Sequence, residues 1–208
     1  MPILITPIFQ GYIVGAGLIM AIGAQNAFLL KQGLRRQHLF LCAMTCSISD
    51  ALLIILGVNG VAELMDELPH FADYMRWGGA AFLFCYGMRA FYQVFHPHTI
   101  IDIESPIKTS KLATFIALLG FTFLNPHTYI DTFLLLGTVG GERPDPEHIP
   151  FMIGATLASF SWFFGLTYGA SKLGPLFKNP RAWQVLDTLM GIMMIGLAIG
   201  LLIPNDSV

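Results

Sequence analysis

Long apolar stretches separated by short charged or proline-rich segments make up most of this chain of 208 residues. A helix that crosses a hydrocarbon core about 30 Å thick needs roughly 20 apolar residues. The pattern therefore predicts an all-α, polytopic membrane protein with six transmembrane helices, near residues 8–30, 39–62, 74–95, 112–136, 151–171 and 186–203. The connectors leave no room for a further domain, so residues 1–208 are predicted to form a single transmembrane domain in the lipid bilayer.

Composition supports this prediction and excludes several classes of function. Hydrophobic residues make up 55% of the chain and charged residues 12%, about half the charged share of a soluble protein. A net charge of -2 lacks the basic balance of a nucleic-acid-binding protein. The three cysteines, Cys42, Cys46 and Cys85, form no CxxC pair, and no nucleophile motif or phosphate loop is present. We therefore expect no enzyme activity, no cofactor and no metal site.

The positions of Lys and Arg predict the orientation in the membrane, because these residues accumulate on the cytoplasmic side. Two of them, Arg76 and Arg143, lie on one side of the six-span arrangement. Nine lie on the other side: Lys31, Arg35, Arg36, Arg89, Lys108, Lys111, Lys172, Lys178 and Arg181. Both termini are therefore predicted to lie outside the cytoplasm, on the periplasmic or extracellular face.

Two of the predicted spans carry a polar interruption, which is typical of transporters with broken helices. The first span is interrupted by the sequence GAQN from Gly23, and the fourth by LNPH, which includes Pro126. If the six spans form two halves of three, the first and fourth spans occupy equivalent positions in the two halves. Because each half has an odd number of spans, the second half has the opposite orientation in the membrane. The sequence therefore favours an inverted repeat with interrupted helices 1 and 4.

Asp50 lies near the middle of the second span, where an ionised residue costs about 2.5–3.5 kcal/mol on insertion scales. Cys46 and Ser47 precede it by four and three residues, so all three share one helical face. This face forms a narrow polar stripe that is expected to point toward other helices. A protonated or hydrogen-bonded aspartate that only holds the bundle together is the structural alternative.

The fourth span has the densest group of polar residues. Pro126 cannot donate a backbone hydrogen bond, so it leaves carbonyl oxygens free at membrane depth. Asn125 offers an amide beside this break, and His127 and Asp131 lie four residues apart on one helical face. These groups can bind a polar substrate, although a proline kink with internally satisfied polar groups is an alternative interpretation.

Gln25 and Asn26 place two amides at the break in the first span. Such amides can hold the carboxylate or ammonium of a zwitterion, or they can join helices. Glycines four residues apart, as at Gly11 and Gly15, let membrane helices pack closely within one chain or between copies. The same spacing recurs at 165 and 169 and at 196 and 200. A homo-oligomer is therefore an open alternative.

A set of short segments carries a likeness to a known family: GAQNAF at 23–28, QGLRRQ at 32–37, ISD at 48–50, WGG at 77–79, YG at 86–87, LNPH at 124–127, DTF at 131–133 and SFSWFFG at 159–165. In order and spacing, the chain resembles the LysE superfamily of amino-acid exporters, and most closely its arginine/lysine exporter branch. The resemblance implies a bacterial inner-membrane exporter of L-arginine or L-lysine. It also implies that Asp50 and Asp131 correspond to the intramembrane aspartates of the branch.

Electrostatics makes a cationic substrate plausible, because a positive side chain in an apolar medium needs an anionic partner such as Asp50 or Asp131. Export of a cation against an inside-negative potential costs about 2.3 kcal/mol per 100 mV. Exchange for an entering proton removes this net charge movement, so we expect proton antiport with these aspartates as the coupling groups. The expected substrate-binding residues are Gln25, Asn26, Asp50, Asn125, His127 and Asp131.

Other classes remain as alternatives. An exporter of a neutral amino acid or another small metabolite would have the same architecture with a different substrate. A channel or a structural membrane subunit could use the polar stripes as a pore lining or as packing contacts. A membrane enzyme would need a clustered metal site or a nucleophile facing one surface, and His127 with Asp131 is the one pair in the sequence that could begin such a site.

Overall fold

A computed structural model describes residues 2–20, 23–59, 71–95, 109–125, 128–129, 132, 135–173 and 179–203. These residues form helices and no strand, which confirms the all-α prediction. The eight helices are α1 (Pro2–Ile19), α2 (Ala24–Leu34), α3 (Leu39–Val58), α4 (Phe71–Phe95), α5 (Lys111–Phe123), α6 (Leu136–Gly141), α7 (Asp145–Lys172) and α8 (Pro180–Leu202).

Within the described residues, α3, α7 and α8 are each long and apolar enough to cross a membrane by themselves. The α1 and α2 helices meet at an angle of 85°, and the bent pair is apolar enough to be either one broken span or a re-entrant loop. The α5 helix is apolar but shorter, with 13 residues. The six-span count and the inverted repeat therefore stay predictions.

The interruption in the fourth predicted span begins at Leu124, where the sequence placed it, whereas the break in the first span lies earlier than predicted and leaves Gln25 and Asn26 inside α2. The α1 helix ends at Ile19 and α2 begins after Gly23, which has an extended backbone. The α5 helix ends at Phe123, and Leu124 and Asn125 are not helical. Beyond this point, residues 129, 132 and 135 have a π-helical backbone, which is wider than an α-helix. Pro126, His127 and Asp131 lie outside the described residues.

The last two long helices begin earlier than the predicted spans at 151 and 186. The α7 helix begins at Asp145 with Pro146 in its first turn, where a proline needs no backbone donor. The α8 helix begins at Pro180, and the Asn179 side chain caps it by accepting from the Arg181 backbone nitrogen at 3.0 Å. The apolar stretch marks only the lipid-facing part of a helix, so these ends extend beyond it.

Close packing of α1 against α7 depends on small residues. A Cβ atom added to Gly154 would lie 1.9 Å from the Ile8 carbonyl oxygen, and one added to Gly11 would lie 2.2 Å from the Phe151 carbonyl oxygen. The glycine pair at 11 and 15 therefore joins helices within one chain. A Cβ added at positions 165, 169, 196 or 200 meets no described atom within 4 Å.

Contacts at the helix ends show how the bundle is arranged. At the start of α4, Arg76 Nε donates to the Leu201 carbonyl at 2.6 Å, while near its end the Val94 carbonyl accepts from Gln184 Nε2 at 3.3 Å. The α4 and α8 helices are therefore antiparallel neighbours. Gln37 Oε1 accepts from Thr109 Oγ1 at 2.7 Å, which joins the start of α3 to the start of α5.

The largest hydrophobic core cluster lies among α2, α3, α4, α5, α7, α8 and the end of α1, and it contains a group of packed aromatic rings. The Phe121 ring packs against Phe28, Tyr86 and Phe82, with ring centroids 5.1, 4.8 and 4.9 Å apart. We call these four rings the aromatic layer. Phe28 and Tyr86 of this layer line a cavity that also contains Lys31 and Arg89, and the residue after Phe121, Thr122, belongs to a polar site. Both places are described below.

Candidate functional site

Asp50 is buried in the middle of α3, with 3% of its surface exposed. Its Oδ2 atom accepts a hydrogen bond of 3.0 Å from Ser159 Oγ on α7. Cys46 and Ser47, the other members of the predicted polar stripe, are fully buried. The stripe therefore points into the helix bundle as expected. Ser47 Oγ has no hydrogen-bond partner among the described residues, so this face retains capacity to bind a polar group.

Gln25, at the start of α2, connects Asp50's helix to α5. Its Oε1 atom accepts from Thr122 Oγ1 at 3.2 Å, and its side chain also hydrogen-bonds the thiol of Cys46. Cys46 lies one turn before Asp50 on α3. Gln25, Cys46, Asp50, Thr122 and Ser159 thus form a continuous polar group across four helices, which we call the aspartate site.

Asn26 braces the break between α1 and α2. Its Nδ2 atom donates to the Ile19 carbonyl at 3.1 Å, and its Oδ1 atom accepts from Trp162 Nε1 at 3.3 Å. The end of α1 would otherwise leave this carbonyl without an intrahelical partner. Both ends of the Asn26 amide therefore bind the protein in this conformation. Its expected contact with substrate stays a prediction.

The second expected group, in the fourth span, is described only at its start. The Asn125 carbonyl oxygen accepts from the Thr128 backbone nitrogen at 3.0 Å, so the chain turns immediately after α5. Thr122, one turn before this point, brings α5 into the aspartate site through Gln25. His127 and Asp131 lie outside the described residues, and their role as substrate or proton ligands stays a prediction.

A buried ion pair was missed by the sequence analysis. The Lys31 ammonium at the end of α2 binds the Asp187 carboxylate on α8, and it also donates to Gln93 Oε1 of α4 at 2.5 Å. Only 8% of Lys31 and 1% of Asp187 is exposed. The rule that selected Asp50, an ionisable residue within an apolar span, also applies to Asp187. Asp187 was overlooked because it lies at the predicted boundary of the sixth span.

Lys31 of this ion pair lies in the wall of a cavity of about 310 Å³ among α2, α4, α5 and α8. Arg35 and Arg89 also line the cavity, and the Arg35 guanidinium lies 5.3 Å from the centre of the Trp183 ring. These basic residues were all assigned to the cytoplasmic side from the sequence. Among the described residues, no three His, Cys, Asp or Glu side chains are grouped closely enough to hold a metal ion.

A bundle of long apolar helices with a sharp break between α1 and α2 and a buried aspartate has the features of a polytopic membrane transporter. The model of one protein family, described as LysE type translocator, matches residues 16–205. The chain belongs to this family, which confirms the resemblance found in the sequence. It is a membrane translocator and not an enzyme.

Individual relatives match over most of their length. The chain is 38% identical to the arginine exporter protein ArgO of Enterobacter sp. (strain 638) over 186 residues, which cover 89% of this chain and 88% of the relative. It is also 38% identical to ArgO of Serratia proteamaculans (strain 568) over 192 residues, 92% of this chain and 94% of the relative. The putative amino-acid transporter YggA of Aeromonas salmonicida matches at 38% over 92% of this chain and 93% of its own length. No solved structure matches the chain.

Proposed function

We propose that this protein exports L-arginine, L-lysine or both across the bacterial inner membrane in exchange for protons. Export of an amino acid is supported by relatives that are named arginine exporters and match at 36–38% identity over about nine-tenths of the chain. The observation that carries the proposal is the burial of Asp50 in the long apolar helix α3. A carboxylate in this place is costly unless it meets a cation or a proton.

The aspartate site suggests how substrate and proton alternate. Ser159 donates to Asp50 at 3.0 Å, and this bond can orient the carboxylate toward an entering guanidinium or ammonium group. When the substrate cation leaves, a proton neutralises the carboxylate, so a buried negative charge never remains alone. Gln25, Asn125, His127 and Asp131 complete the proposed binding site, with Asp131 as the second coupling carboxylate. Proton entry balances the charge that leaves with the substrate.

The proposed transporter consists of a single domain with six spans and both termini on the periplasmic or extracellular face. Its two halves would expose the aspartate site to each side in turn. The contacts of the basic residues support this arrangement. Lys31, Arg35 and Arg89, which were all assigned to the cytoplasmic side, line one cavity. Arg76 and Arg143, which were assigned to the opposite side, bind Leu201 and Gln10 instead. The exchange of arginine for protons would then run between the two faces.

The test is counterflow of labelled L-arginine into proteoliposomes that contain the purified protein, with an imposed pH gradient as a separate driving force. We expect saturable uptake that unlabelled lysine competes with and that the pH gradient accelerates. Asp50→Asn should abolish flux. Glu142→Gln, which removes a negative charge from an exposed position at the end of α6, is the matched control and should transport normally.

Three outcomes would contradict the proposal. Full flux through a correctly inserted Asp50→Asn variant would remove Asp50 from the mechanism. Flux that does not respond to pH would remove proton coupling. Transport of a neutral amino acid with no transport of arginine would keep the transporter class and replace the substrate.

A further inference from the structure

An open groove of about 590 Å³ runs between the starts of α3 and α5. The apolar part of its lining includes Phe40 of α3 and Leu112 and Phe115 of α5, and Lys111 supplies a positive charge. Phe40 and Leu112 are 61% and 65% exposed, although both side chains are large and apolar. On a protein that belongs to a family of membrane translocators, exposed apolar surface of this kind contacts lipid.

Hydrogen bonds between the two helix starts brace the groove. Gln37 Oε1 accepts from Thr109 Oγ1 at 2.7 Å and from the Thr109 backbone nitrogen at 3.2 Å. The Thr109 carbonyl oxygen accepts from Nε2 of the His38 ring at 2.7 Å. On the α3 side, the Phe40 ring packs edge-on against Phe164 of α7, with ring centroids 6.1 Å apart. A surface with braced walls loses little conformational freedom on binding, so it can favour one kind of lipid over another.

Lys111 is the first residue of α5 and places its charge at one end of the groove. Its side chain is exposed, and neither of the ion pairs found among the described residues includes it. It also belongs to the basic residues that the sequence assigns to the cytoplasmic side. The cytoplasmic leaflet carries anionic lipids, which attract lysine residues close to the membrane surface. The charge of Lys111 and the apolar lining therefore match the two parts of an anionic phospholipid.

We propose that this groove binds an anionic phospholipid of the cytoplasmic leaflet, with the phosphate at Lys111 and an acyl chain between Phe40 and Phe115. The lipid then bridges α3, which carries Asp50, and α5, which carries Thr122. This site goes beyond the proposed function, because the lipid is neither exported nor exchanged. A zwitterionic lipid with the same acyl chains fits the apolar lining but brings no net negative charge to Lys111. The charge of the head group therefore decides which lipid is preferred.

The test compares phosphatidylglycerol with phosphatidylcholine of identical acyl chains. Binding of each lipid to the purified, delipidated protein is measured by native mass spectrometry at increasing lipid concentration. A lysine near an anionic head group contributes about fivefold in affinity, so the first lipid bound should favour phosphatidylglycerol by about this factor. Lys111→Gln should reduce the preference to less than about twofold. Lys172→Gln is the matched control and should keep the full preference, because Lys172 is exposed, belongs to the same predicted side and does not line the groove.

A second variant tests the apolar part of the groove. Leu112→Ser keeps the charge of Lys111 and changes a side chain that is 65% exposed, so the fold should tolerate it. It should weaken the binding of both lipids about threefold or more and leave the preference for phosphatidylglycerol unchanged. Unchanged binding of both lipids to this variant would contradict the placement of an acyl chain in the groove.

Glycerol 1-phosphate separates a lipid site from a site for a soluble phosphate, because it carries a phosphate without acyl chains. It should not displace phosphatidylglycerol when the two are present at equal concentration. Displacement would show that the site binds a soluble phosphate, and it would overturn the proposal. Equal binding of the two lipids to the unmodified protein would also overturn it. The same holds if Lys111→Gln and Lys172→Gln change the preference by the same factor.

Discussion

The buried pair of Lys31 and Asp187 gives the sharpest test of the packing. The Lys31→Met variant leaves the Asp187 carboxylate buried without its cation, and Asp187→Leu leaves the ammonium with Gln93 as its described partner. The side chains are 10% and 1% exposed, so water compensates little of this loss. Breaking one side of such a pair costs about 3–5 kcal/mol. For a chain of this length, 3–5 kcal/mol lowers the apparent Tm by roughly 6–20 °C.

The double variant Lys31→Met/Asp187→Leu should be much more stable than either single variant, because no unpaired charge is left in the bundle. The assay is thermal unfolding of the four purified proteins in one detergent, followed by intrinsic tryptophan fluorescence. The more exposed pair of Arg143 and Glu147, 3.3 Å apart, is the control. Glu147→Gln should change stability by less than about 1 kcal/mol. A double variant that loses as much stability as the two single variants combined would refute the reasoning.

Three further predictions concern the helix contacts. Gly154→Ala should lower the stability by about 1–3 kcal/mol, because the new Cβ meets the α1 backbone. The control Gly165→Ala should leave the stability unchanged, because its Cβ meets no described atom within 4 Å. Equal Tm shifts of the two variants would contradict this packing argument. Asn26→Ala removes the two side-chain hydrogen bonds that brace the α1–α2 break. It should lower the free energy of unfolding by about 1–3 kcal/mol, and therefore also the Tm. Lost export with an unchanged Tm would instead assign Asn26 to substrate binding. Ser159→Ala should reduce export about 10-fold without abolishing export, because the substitution removes the hydroxyl donor and keeps the Asp50 carboxylate. An unchanged rate of export would show that Ser159 does not orient Asp50.

The features that could be predicted from the sequence are those that depend on local composition. Asp50 was identified because a carboxylate is rare inside an apolar stretch, and its burial confirms that it points into the bundle. The break before Ala24 was identified because glycine and adjacent amides interrupt an apolar helix. Both inferences need no knowledge of which helices are neighbours.

The features that could not be predicted depend on which helices meet. Lys31 and Asp187 both looked like residues at span ends, since a long lysine side chain ordinarily reaches the membrane surface. The structure shows that α8 begins at Pro180, so Asp187 lies about two turns inside a helix and opposite α2. The bracing contacts of Asn26 were likewise hidden, because the sequence does not show that Trp162 of α7 lies beside it.

The pairing of Lys31 with Asp187 also sets the order of events during biogenesis. The two residues are 156 positions apart, so at a synthesis rate of 5–20 residues per second roughly 8–30 s pass between them. During that interval the ammonium has no Asp187 carboxylate to bind. Synthesis of α8 therefore supplies the buried partner that joins α2 to α8. A chain that stops before α8 keeps the Lys31 ammonium without this carboxylate.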